Sequence, residues 1–208
     1  MKSAVEVFGR WAQLGKDEGM ERGHRAAVDH MLAYALEHLP GSFSALDAGC
    51  GNGWVVRLLQ QESRCVAAQG VDGAAEMIAK AKALDPHGTY AHADLLQWEP
   101  DAPVDLVHSM EVLYYFEQPG RVLERVVRWL KPGGRLIVGI DHYQENAASL
   151  SWPEDAGIKM NTLSEAAWLE HFRGAGLEEV QAWHFARRED WEGTLVLTGI
   201  RARSSAPA

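Results

Sequence analysis

Apolar positions recur at three- and four-residue spacing over residues 5–14 and again over 26–39, which predicts two amphipathic helices separated by Gly15-Lys16-Asp17-Glu18-Gly19. Pro40-Gly41 closes the second. From Phe43 onward, strands alternate with helical stretches at 53–62, 74–84, 119–130 and 164–175. That alternation predicts an α/β fold with a doubly wound, mostly parallel sheet and right-handed crossovers. Val122, Leu123, Val126, Val127 and Leu130 give the third of these helices its apolar face, and Pro132-Gly133-Gly134 stops it before a strand opens at Arg135. Two β-rich segments, 177–187 and 191–201, are joined only by Arg188-Glu189-Asp190. So short a link predicts an antiparallel hairpin. Residues 204–208 read as a frayed tail.

Composition narrows the class. A chain of 208 residues, 47% of them hydrophobic, can bury a sizeable core, and a single domain over 1–208 is expected, with 1–40 as a helical N-terminal cap. No stretch reaches the ~18 apolar residues of a membrane span, and the start Met1-Lys2-Ser3-Ala4-Val5-Glu6 has no export pattern, so a cytoplasmic location is expected. With only Cys50 and Cys65, neither a disulfide framework nor a zinc site is suggested. A formal charge of −9 opposes attraction to phosphate backbones and disfavours a nucleic-acid partner. The densest basic groupings, Lys80 with Lys82 and Arg187-Arg188, read as solvated positions.

The run Ala45-Leu46-Asp47-Ala48-Gly49-Cys50-Gly51-Asn52-Gly53-Trp54 carries the chemistry. It reads as a buried strand turning through three alternating glycines into a helix. Such a backbone can take positive φ and approach a ligand closely, while the free N–H groups of the helix start face the same place. An ordinary strand-to-helix turn is the plain alternative. Favouring a ligand, a second short strand, Cys65 to Val71, ends in Asp72, about twenty residues on, where a carboxylate can accept from ribose hydroxyls. The dinucleotide fingerprint itself fails. Trp54 and Val56 stand where a third, close-packing glycine would, which disfavours a pyrophosphate site for NAD.

Here the chain resembles the class I S-adenosylmethionine-dependent methyltransferases, whose first motif is an acidic residue followed by G-x-G-x-G; Asp47, Gly49, Gly51 and Gly53 match it. His92-Ala93-Asp94-Leu95-Leu96-Gln97-Trp98 resembles the family's second acidic motif. Val104 to Met110 resembles its fourth strand, and Leu130 to Val138 the helix-turn-strand that follows. The resemblance implies a seven-stranded Rossmann-like sheet with a C-terminal antiparallel hairpin, S-adenosyl-L-methionine as cofactor and S-adenosyl-L-homocysteine as product. It further implies Gly49, Cys50 and Gly51 beneath the methionine part and ribose, and Asp72 with Gly73 at the ribose diol. Asp94 and Leu95 would meet adenine, Ser109 and Met110 the sulfonium end, and Asp47 the neighbourhood of the cofactor amino group.

Methyl transfer is an in-line displacement, in which alignment can supply effective molarities of ~10⁵–10⁸ M and a positioned base only about 10²–10⁴-fold. Candidates for a base or a substrate contact are His108, Glu111, Tyr114 and Tyr115 after the fourth strand, and Asp141, His142 and Tyr143 after the fifth. Glu111 and His142 lead, because polar groups at strand ends are preferred site positions. Asp141 has no evident carboxylate partner at the end of the fourth strand, so no metal is expected. The segment 144–162 and the residues Phe8, Trp11, Met20 and His24 are candidates to close the crevice and select the substrate. The asparagine-proline-proline-tyrosine signature of nucleic-acid amino methylation is absent where the chain has Ser109-Met110-Glu111-Val112, which favours a small-molecule acceptor at oxygen, nitrogen or sulfur. Two alternatives are a nucleotide-cofactor oxidoreductase, separable by NAD binding, and a non-catalytic subunit that binds the cofactor. Oligomeric state is not legible.

Overall fold

The computed structural model describes residues 2–203; the tail expected at 204–208 lies outside them. Two helices lead, α1 (Ala4–Gln13) and α2 (Asp17–Glu37). Then β1 (Phe43–Ala48), α3 (Trp54–Gln61), β2 (Cys65–Asp72), α4 (Ala75–Leu84) and β3 (Thr89–His92) follow one another. The second half holds β4 (Val104–Met110), α5 (Pro119–Arg128), β5 (Leu130–Ile140), α6 (Trp152–Ala156), α7 (Glu165–Gly174), β6 (Leu177–Phe185) and β7 (Thr194–Arg201). The seven strands form one sheet in the order β3-β2-β1-β4-β5-β7-β6. The first five pair in parallel, whereas β7 is antiparallel to both β5 and β6. The expected fold and the terminal hairpin are both present.

Alternation along the strands sends neighbouring residues into two cores. Ala45, Leu106, Ile137 and Val196 pack with Val28, Met31 and Leu59 from α2 and α3. Their neighbours Leu46, Val107, Leu136 and Leu197 pack on the opposite face with Val122, Val126, Trp168 and Phe172 from α5 and α7. Because both faces are covered, the central strands carry buried apolar residues at consecutive positions, as in Leu106-Val107 and Leu136-Ile137-Val138. The chain leaves β1 toward β3 and returns to β4 on the other side of β1. The crevice therefore opens beyond the carboxyl ends of β1 and β4.

Two boundaries differ from the sequence expectation. Helix α2 starts at Asp17, not near residue 26, and runs through Gly19 and Gly23. Each glycine costs about 1 kcal/mol relative to alanine in a helix. Tertiary contacts offset this: buried Asp17 accepts from Asn52 Nδ2 at 2.8 Å and from Lys80 Nζ at 2.9 Å. The expected stop at Pro132-Gly133-Gly134 lies inside β5, where the pairing slips from Val104↔Leu130 to Leu106↔Arg135. These residues form an irregularity in a strand instead of a gap before one.

Helix α7 begins where Ser164 Oγ accepts from the Ala167 N–H at 3.2 Å. Ser164→Ala should therefore lower stability by about 0.5–2 kcal/mol. A urea unfolding curve that superimposes on wild type would remove this cap from the account. No helix of the described residues is long and apolar enough to cross a membrane.

Candidate functional site

The glycine turn is held in place by its own backbone. The N–H groups of Gly49 and Cys50 both donate to the Val71 carbonyl, at 2.8 and 3.1 Å. Gly49 and Gly51 have φ of 80° and 52°. At Gly49 the missing side chain is also a packing requirement, since a Cβ there would stand 2.2 Å from Val112 Cγ2. At Gly51 a Cβ would meet nothing closer than Met77 Sδ at 3.9 Å. Its absence leaves bare main chain facing the cleft.

Asp72 braces this turn. Its Oδ2 accepts from the Gly51 N–H at 2.9 Å and its Oδ1 from the Ala74 N–H at 2.7 Å. Burial raises the Asp72 pKa, and the two N–H bonds only partly oppose that. A carboxylate oxygen has two lone pairs, so each oxygen keeps acceptor capacity for a hydroxyl.

A cleft of about 440 Å³ opens at this point, within the size range of small-molecule sites. It gathers Gly49, Gly51, Asp72, Gly73, Asp94, Leu95, Met110 and Glu111. Asp94 closes a tight turn, accepting from the Leu96 N–H at 2.9 Å. Val5 and Phe8 of α1 and Met20 of α2 lie across the cleft. Phe8 and Met20 are among the residues the sequence offered to close the crevice; Val5 was not, because an apolar helix face looks the same whether it meets a sheet or a ligand.

A recess of about 50 Å³ adjoins it, lined by Asp47, Cys50, Asn52 and His108 among others. His108 Nδ1 lies 2.7 Å from Asp47 Oδ1, so the ring donates there, and its Nε2 is buried without a partner among the described residues. Burial raises the Cys50 thiol pKa well above its ordinary value, which keeps it protonated.

Two expected site residues stand elsewhere. Ser109 is buried and donates to the Ala48 carbonyl at 2.7 Å, joining β4 to β1 and lining none of these cavities. The alternation of β4 turns Met110, not Ser109, to the cleft. His142 is fully buried, with Nδ1 2.9 Å from the Ser149 carbonyl and Nε2 2.8 Å from Thr162 Oγ1. Burial lowers its pKa. Both ring nitrogens are occupied in pinning the 144–162 segment, so His142 is a structural rivet and not a candidate base.

Glu111, one residue past β4, has the opposite character. Its φ of 61° is unusual for a residue with a side chain. Its Oε1 accepts from the Asp141 N–H at 2.5 Å, and Oε2 lies 2.7 Å from Tyr114 Oη, which is 3.1 Å from Tyr115 Oη. Burial, then the nearby Asp141 charge, pushes its pKa up to about 8. His24 Nε2 lies 3.5 Å from Asp141 Oδ2. Burial pulls the His24 pKa down, but the Asp141 hydrogen bond and the Glu111 and Asp141 charges outweigh it, and the net shift is upward.

The donor atoms of His24, Glu111 and Asp141 all lie within 4.8 Å of one another. The expectation that Asp141 lacks a carboxylate partner is thus corrected: Glu111 is that partner, brought in by its positive φ, and both its oxygens already sit in hydrogen bonds.

A family model described as a methyltransferase domain matches residues 20–182. The trans-aconitate 2-methyltransferase of Azoarcus sp. (strain BH72) is 33% identical over 114 residues, 55% of this chain and 44% of that protein. The chain spans about half the length of the curated relatives it matches, 44% and 58% for two of them. Among solved structures, a chain of the complex between the Haloferax volcanii Trm112 methyltransferase activator and its methyltransferase is 30% identical with a TM-score of 0.80, covering 98% of this chain and 100% of that one. The N-methyltransferase NodS from Bradyrhizobium japonicum WM9, in complex with S-adenosyl-L-homocysteine, superimposes with a TM-score of 0.66 at 22% identity, covering 85% and 86% of the two chains.

Proposed function

This chain belongs to the S-adenosylmethionine-dependent methyltransferase family, and we propose that it moves the cofactor's methyl group to a small-molecule acceptor. The observation that carries this reading is the cleft itself, in which main chain at Gly49 and Gly51 and the carboxylates of Asp72 and Asp94 converge at the switch point of the sheet. The residues fit such a cofactor. Gly51 leaves open space, Asp72 keeps free lone pairs for a ribose diol, and Leu95 offers an apolar wall for adenine. When bound, S-adenosylmethionine supplies a methyl group on a positively charged sulfur, activated for displacement without a metal.

The chain's own contribution is to align the acceptor and keep water out. Phe8, Met20 and Tyr115 stand over the cleft and serve the second task. Glu111 is the carboxyl group among the strand-end candidates that lines the cleft, and it can hold a proton for the acceptor. An acceptor of small size agrees with a negative chain and with the relatives that act on trans-aconitate.

Calorimetry with S-adenosylhomocysteine, paired with methyl transfer from labelled cofactor into metabolite fractions, tests this. Asp72→Ala should weaken S-adenosylhomocysteine by about 1–3 kcal/mol, the range for a buried polar group losing its partner, or roughly 5- to 150-fold in Kd. Unchanged affinity in that variant would remove Asp72 from the ribose; binding of NAD in place of S-adenosylhomocysteine would overturn the reading.

A further inference from the structure

Behind Glu111 lies a second chamber of about 390 Å³ that the cofactor does not account for. Phe8, Met20, Glu111 and Tyr115 belong to the walls of both it and the cofactor cleft, so the two adjoin. Its other faces come from Trp11 of α1 and from Trp152 and Asp155 of α6. Phe8 packs edge-on against Trp11 and Tyr115, each with ring centroids 5.3 Å apart and planes at 85° and 75°. Ring faces therefore meet at near right angles, as in a cage. The Lys2 N–H donates to the Gly157 carbonyl at 3.1 Å, tying the residues before α1 to the end of α6.

Besides the Tyr114 and Tyr115 hydroxyls, the wall holds three ionisable side chains. Glu111 and Asp155 are carboxyl groups and His24 is an imidazole already facing Asp141; no lysine or arginine lines the chamber among the described residues. A carboxylate-rich acceptor would find no lysine or arginine to hold it, and the one imidazole, His24, is already paired with Asp141. A cation would meet aromatic faces, which attract positive charge, and carboxylates within reach.

We infer that this chamber is the acceptor site and that it takes a cationic amine, ideally one with an aromatic or other apolar body, so that the methyl group is delivered to nitrogen. The inference rests on the methyltransferase reading above and narrows its substrate class. An alkylammonium has no free lone pair, so one proton leaves before bonding begins. Glu111, on the shared wall, first gives up its own proton to solvent by way of the Tyr114 and Tyr115 hydroxyls as the cation enters, and the carboxylate so formed takes the proton from the nitrogen. The freed pair then forms the N–C bond as the S–C bond breaks onto sulfur, leaving a methylammonium and S-adenosylhomocysteine.

The test reads binding, not turnover. Protein saturated with S-adenosylhomocysteine is titrated calorimetrically with 2-phenylethylamine, with its uncharged counterpart 2-phenylethanol, and with the tricarboxylate trans-aconitate. The amine should bind about tenfold or more tighter than the alcohol, and trans-aconitate more weakly than either. Trp152→Ala should weaken the amine by about tenfold and leave S-adenosylhomocysteine affinity unchanged. Asp155→Asn, at an exposed position that burdens folding little, should weaken the amine and not the alcohol. Equal affinity for amine and alcohol, tighter binding of trans-aconitate, or indifference of the amine to both substitutions would overturn the amine assignment while leaving the methyltransferase reading intact. Failure of S-adenosylhomocysteine itself to bind would instead bring down the earlier reading, and this one with it.

Discussion

Stability should fall as pH rises from about 4.5 toward 8, and Glu111→Gln should remove most of that fall. The Glu111 carboxyl titrates near 8 in the folded chain, against 4.5 for an unburied glutamate. Between those values the native state holds a proton that the unfolded chain has released. Raising the pH therefore favours unfolding, with no penalty below 4.5 and the full penalty above 8. The slope approaches about 1.4 kcal/mol per pH unit in mid-window. Glutamine imitates the protonated acid: its carbonyl oxygen can accept from the Asp141 N–H, and its amide can donate to Tyr114 Oη. His24 and Asp72, whose pKa values are also raised, contribute stability that is lost in the same direction, and Glu111→Gln also removes the part of the His24 shift that the Glu111 charge supplies. Urea midpoints at pH 5, 6.5 and 8 for the two proteins make the comparison. Parallel curves would mean that the Glu111 carboxyl ionises normally. The same physics bears on function, because a cation entering beside Glu111 lowers its pKa and draws the proton off.

Gly49→Ala should cost about 2–5 kcal/mol and abolish most S-adenosylhomocysteine binding. Two effects add. A side chain at φ of 80° carries about 1–2 kcal/mol of left-handed strain. Overpacking against Val112 adds about 1–3 kcal/mol, since the new Cβ would stand 2.2 and 2.9 Å from its two γ carbons. Val112→Ala removes both γ carbons and leaves only the Val112 Cβ, 3.1 Å from the added methyl. The double variant should thus recover the packing part and keep the strain, a non-additivity measurable in a double-mutant cycle. Additive losses would show that the turn relaxes away from Val112, and a single variant as stable as wild type would refute the left-handed geometry.

Much of the cofactor cleft was legible because it is local. The glycines, the helix after them and the acidic residue ending the next strand are linked by short stretches of chain, and φ preference and strand alternation act within those stretches. The hairpin was legible for the same reason, a link too short to cross the sheet. Ser109 and His142 were misread where locality ends. A strand-end polar residue has two faces to choose between, and only the packed neighbours decide: Ala48 for Ser109, Ser149 and Thr162 for His142. The true start of α2 was hidden likewise, since two glycines argue against a helix until Asn52 and Lys80 arrive to hold Asp17.

Pattern and turn chemistry alone therefore determined the doubly wound sheet, its reversed last strand and the glycine turn at the end of β1. Tertiary structure alone decided that His24, Glu111 and Asp141 meet, and that α1 and α6 close an aromatic, acidic chamber beside the cleft. The difference is physical: backbone conformation is set by nearest neighbours along the chain, whereas the charge and shape of a chamber are set by segments far apart in sequence that touch only after the core has formed.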